Sequence, residues 1–136
     1  MNIIKSTDTL SNFLLRSVVA VIIATHGWHR ALSGGYEPFG DWLTSQGFPF
    51  GLALAILVTG IEILGSIALL FGMHLVYLCG VYVLIYLTGL VLVHWQNGWF
   101  VVGSGTNGIE YSVLIIASLI CIALSDVKRK DNPELV

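Results

Sequence analysis

Charge is what this sequence has least of. Asp, Glu, Lys and Arg together make up 10% of its 136 residues, against 56% hydrophobic residues. Soluble domains carry about a quarter charged residues, so that balance excludes an ordinary water-soluble fold. Cysteine is also scarce. Cys79 and Cys121 are the only two and have no C-x-x-C spacing, which excludes a dithiol redox motif. Basic clusters are absent except for Lys128-Arg129-Lys130, and the net charge is −2, so nothing offers the footprint a nucleic acid needs. There is no nucleophile elbow, glycine-rich phosphate loop or H-E-x-x-H. A cleaved signal peptide is the rival reading of the first apolar run, but Arg16 interrupts that run and no A-x-A pattern follows "VIIATHG". No run alternates apolar with polar residues, which excludes the strands of a membrane barrel.

What remains is long apolar runs. A helix needs about 20 mainly apolar residues to cross ~30 Å of hydrocarbon. Four stretches meet that need, near 10–26, 50–71, 74–93 and 109–124. The expected fold is therefore all-α: a transmembrane four-helix bundle forming a single domain over 1–136. Its outer segment "YEPFGDWLTSQGFP" is an interfacial loop or short helix. Lys5 before the first helix and the 128–130 cluster in the tail, 125–136, put both termini in the cytoplasm. The segments 27–49 and 95–109 then face outward, with Trp28, Trp95 and Trp99 at headgroup level.

The few polar residues fall into two layers. Arg16 lies ~15 Å below His26 and Glu62 ~20 Å below Pro49, counting 1.5 Å per residue. A charge within the bilayer costs several kcal/mol without a partner, so Arg16 and Glu62 are expected to pair. The pair reads equally as a structural lock or as a proton or substrate group. Ala55, Thr59, Glu62 and Ser66 make one small and polar stripe at helical spacing. His26, His29, His94 and Glu110 gather at the outer ends, either as a metal set or as polar caps with His29 and Arg30 among headgroups; the spacing does not support a metal assignment. Gly27 permits a close helix approach beside His26. Tyr82 and Tyr86, one turn apart, read as packing or as the wall of a pocket for a flat ring such as a quinone.

Arg16, then His26-Gly27, then Arg30, "SQGFP", and Glu62 followed by Gly72 resemble the DoxX family of small four-helix membrane proteins. The resemblance runs from Arg16 to Tyr111 and includes "GIEYSVL" at the start of the last helix. The family's "LG-x-x-T-R" stands here as "FGMHL", with His74 in the place of the basic residue. Relatives include the membrane subunit of a thiosulfate:quinone oxidoreductase and a membrane partner in a thiol and superoxide detoxification complex. The resemblance thus implies a multi-pass protein of the bacterial inner membrane, a subunit of a redox assembly linked to quinone and to a sulfur or thiol compound. On this reading His26, Glu62 and Glu110 are catalytic, and Arg16, Tyr82, Tyr86 and His94 line the substrate or quinone pocket. No cofactor is covalently bound. The partners are the bilayer and a membrane or periplasmic protein, with self-association left open. The alternative is a non-catalytic membrane anchor or assembly factor for a partner complex.

Overall fold

The computed structural model of the chain describes residues 2–103 and 105–131, with side chains from Leu10 onward. The Lys5 side chain and the tail beyond Asp131, both used in the topology argument, lie outside the described residues, as does Ser104. Among those described there is no strand. Five helices follow one another: α1 (Asn2–Leu32), α2 (Tyr36–Ser45), α3 (Gly51–Leu70), α4 (Leu75–Asn97) and α5 (Glu110–Asp131).

All but α2 contain a stretch long and apolar enough to cross a membrane, and at most 33% of any such stretch is buried within the protein. Phe13, Val21, Leu64, Leu84 and Leu114 are among many large apolar side chains left exposed. In water such a surface would aggregate; in lipid it is the surface a spanning helix requires. The chain is an all-helical integral membrane protein.

It packs as two compact units, Ala20–Met73 on one hand and Met1–Val19 with His74–Val136 on the other. In the first unit, α1 runs six residues past the end expected at His26, because Gly27 is accommodated inside the helix and no proline follows until Pro38. The helix closes as a glycine cap should. Gly34 takes φ +69° and the Gly35 N–H donates to the Arg30 carbonyl at 2.9 Å.

The expected short helix in the following segment is α2, which lies on the first turns of α3. Two glycines allow this contact. A Cβ on Gly40 would stand 2.6 Å from Leu52 Cα, and one on Gly51 would collide with the Gly40 carbonyl oxygen. Phe50 makes the turn into α3 at φ +57°, a left-handed conformation uncommon for a bulky residue. Midway, α3 widens into a π turn at Ile61–Gly65.

In the second unit, α4 packs on α5 through Leu75, Cys79, Tyr82, Leu119 and Ile122, all buried. The α4 helix also widens, into a π turn at Leu90–His94, and ends in a 3-10 turn at Trp95–Asn97. Beyond it the chain folds back on itself: Ile109 N–H donates to the Gly98 carbonyl and Glu110 N–H to that of Trp99.

Candidate functional site

Glu62 sits in the π turn of α3, its side chain 4% exposed. A carboxylate there needs a cation, and it has Arg30, whose Nη1 lies 2.7 Å from Glu62 Oε2. The sequence pointed to Arg16 for this role and placed Arg30 among the headgroups. Arg30 is instead 18% exposed and held on three sides. Its Nη1 also donates to Thr59 Oγ1 at 3.2 Å, and its guanidinium carbon lies 4.4 Å from the centre of the Phe39 ring on α2. Thr59 in turn gives its hydroxyl proton to the Ala55 carbonyl, so its lone pairs face the guanidinium. The stripe of Ala55, Thr59, Glu62 and Ser66 is buried throughout, as expected.

The helix of origin is brought close by Gly27. A Cβ there would meet Glu62 Cβ and Ile63 Cγ1 at 2.9 Å, so α1 and α3 touch at the level of the ion pair. That level is about 16 Å from the start of α3 at Gly51, counting 1.5 Å per residue, or near the middle of the helix. The contacts fall in opposite order along the two segments: Gly27 meets Glu62, Arg30 meets Thr59, and Gly40 meets Leu52. The end of α1 thus lies beside the middle of α3, and α2 covers its first turns.

Arg30 also borders an open groove of about 430 Å³, lined by Thr25, His26, His29, Arg30, Ser33 and Gly35. His26 Nδ1 lies 2.9 Å from the Ile22 carbonyl. A carbonyl only accepts, so Nδ1 carries hydrogen and Nε2 is the acceptor nitrogen of the neutral ring. Thr25 and Ser33 turn their hydroxyl protons to the carbonyls of Ile22 and His29. His29, expected at the headgroups, shares the groove wall with His26.

The remaining candidates belong to the other unit. Arg16 is half-buried, its guanidinium 5.7 Å from the Phe13 ring, and its Nε finds no hydrogen-bond partner among the described residues. Tyr82, on α4, is fully buried, while Tyr86 one turn on is half-buried. His94, in the π turn of α4, donates from Nδ1 to the Asn107 carbonyl at 2.9 Å. Glu110 Oε1 accepts from Val101 N–H at 3.1 Å. Both therefore brace the segment between α4 and α5. Among the described residues no three His, Cys, Asp or Glu side chains gather closely enough to hold a metal ion.

The model of the DoxX family matches residues 11–95, from α1 into the last turn of α4. The chain belongs to the DoxX family. The matched region contains Gly27, Arg30 and Glu62 and stops short of Glu110, which the sequence resemblance had included. No curated protein and no solved structure matches the chain.

Arg30 and its contacts with Thr59 and Phe39 were not assigned from the sequence. A signal was present: His26 and Arg30 are four residues apart and Gly27 and Arg30 three, so all share a helix face once α1 continues. Asp126 was also missed. It is buried at the end of α5, where Arg129 Nη2 and Lys130 Nζ reach its two oxygens at 2.6 and 2.7 Å. Two of the three residues in the basic cluster are thus tied to a carboxylate on their own helix.

Proposed function

We propose that this DoxX protein is the membrane subunit of a redox assembly in a bacterial inner membrane, exchanging electrons with quinone on behalf of a membrane or periplasmic partner that oxidises a sulfur or thiol compound. One observation carries the reading: Glu62, buried on a π turn midway along a spanning helix, is paired with Arg30 of α1 beside a groove with two imidazoles. Ionisable groups at that depth line functional paths, and π turns recur at functional sites. The donor set fits a carbonyl head. Arg30 Nη1 is committed to Glu62 and Thr59, while a guanidinium carries five N–H donors in a fixed fork. Glu62 fixes the position of that fork, and His26 moves a proton at Nε2. Quinone, when bound, supplies the electron acceptor.

A second reading, a non-catalytic anchor for a partner, draws on the same ion pair, because Glu62, Thr59 and Phe39 hold Arg30 in place without any ligand. Lipid extraction of purified protein separates the two. The redox reading expects a stoichiometric quinone that Glu62→Gln depletes. A partner co-purifying with quinone-free protein would leave only the anchor.

A further inference from the structure

The groove holds a second imidazole that the reading above does not use. We infer that His29 is a further catalytic residue, delivering one of the two protons that a quinone takes up while His26 delivers the other; this rests on the quinone reading.

The argument is one of elimination followed by stoichiometry. Six residues line the groove: Thr25, His26, His29, Arg30, Ser33 and Gly35. Arginine does not release its proton in proteins, and glycine has none to give. The hydroxyls of Thr25 and Ser33 have already committed theirs to backbone carbonyls. Among the described residues no carboxylate lines the groove, since Glu62 is paired with Arg30 and is 4% exposed. His26 and His29 are what remains, and imidazole is the side chain suited to proton exchange near neutrality. Three residues apart on one helix, they stand as neighbours with Cβ atoms about 5–6 Å apart.

Reduction of a quinone to its quinol consumes two electrons and two protons. The electrons come from the reduced partner subunit. Each imidazolium gives up one N–H proton, each quinone oxygen gains one O–H bond, and both imidazoles end neutral. The groove is open, so water restores both protons. Oxidation of a quinol runs the same transfers in reverse. Arg30 holds a carbonyl oxygen by hydrogen bonding and transfers no proton.

The test uses the full chain in detergent with a short-tailed quinone, reduced and oxidised at an electrode so that no partner is needed. Redox-difference infrared spectra of protein carrying 15N-labelled histidine report the imidazoles that change protonation with the bound quinone. Imidazole bands are expected in the unsubstituted protein, reduced to about half in either His26→Gln or His29→Gln. They should vanish in the double variant and persist in His74→Gln. Both groove residues are exposed, so these changes spare the core, and retained quinone binding verifies that each variant is folded. Quinone binding with bands that His29→Gln leaves at full strength would overturn the inference alone. Failure of the unsubstituted protein to bind quinone would overturn the quinone reading and the inference with it.

Discussion

Gly27 and Glu62 face each other across α1 and α3 so closely that a single methyl group on the glycine would press on the carboxylate's own Cβ at 2.9 Å. The small residue sets the helix separation, and that separation lets Arg30, one turn further along α1, reach Glu62. Substitution of Gly27 by Ala should therefore destabilise the protein by about 1–3 kcal/mol, the usual cost of overpacking. Gly60→Ala, where a Cβ meets nothing within 4 Å, should instead gain up to about 1 kcal/mol through helix propensity. Thermal unfolding in detergent compares the two, and equal midpoints would refute the close contact.

Arg30→Leu and Glu62→Leu should each lower stability by roughly 3–5 kcal/mol, since each strands a buried charge. The double variant should lose less than the sum, because no charge is left alone. A double-mutant cycle on thermal midpoints measures the difference. Strict additivity for Arg30 with Glu62, or an equally large coupling between Arg16 and Glu62, would return the partner role to Arg16.

Glu110→Ala should free the Val101 N–H and loosen the segment between α4 and α5 without unfolding the helices. Hydrogen exchange at Val101 should accelerate by about tenfold, the equivalent of one lost hydrogen bond of ~1.4 kcal/mol. Exchange at Leu119, in the α5 core, should be unchanged. Faster exchange at both positions would make Glu110 a determinant of the whole helix pair.

Orientation is tested by cysteine labelling in intact cells, with Cys79 and Cys121 replaced. A probe at Gln46, exposed between α2 and α3, should react with an impermeant maleimide, and one at Asn132 should not. Labelling at Asn132 with silence at Gln46 would invert the topology.

The membrane fold was legible because hydropathy and run length report the solvent directly. The buried face of α3 was legible too, as Ala55, Thr59, Glu62 and Ser66 repeat at helical spacing. Even Gly27 announced a close approach by standing alone among bulky neighbours. The ion partner was not legible, for a geometric reason. Counting depth along each helix assumed that α1 and α3 begin and end at common levels, with a loop lying above both. The α2 helix instead occupies the level of Gly51 and Leu52, so the end of α1 falls to the middle of α3 and the whole register shifts toward Arg30. His94 and Glu110 escaped for another cause: their partners are backbone groups of a glycine-rich segment, and spacing in sequence does not report how such a segment folds back.

Arg30 also bears on how the protein is made. A ribosome delivers α1 first, and when residue 32 enters the bilayer Phe39, Thr59 and Glu62 are still inside the ribosomal tunnel. An unpaired guanidinium in hydrocarbon costs several kcal/mol, so α1 has no settled position while it is alone. It must wait near the interface, or inside the insertion machinery, until some thirty further residues emerge and α3 brings the carboxylate. Insertion of the two helices is thereby a single coupled event, and loss of Glu62 should be felt at birth, as chains that fail to integrate, before it is felt in any finished molecule.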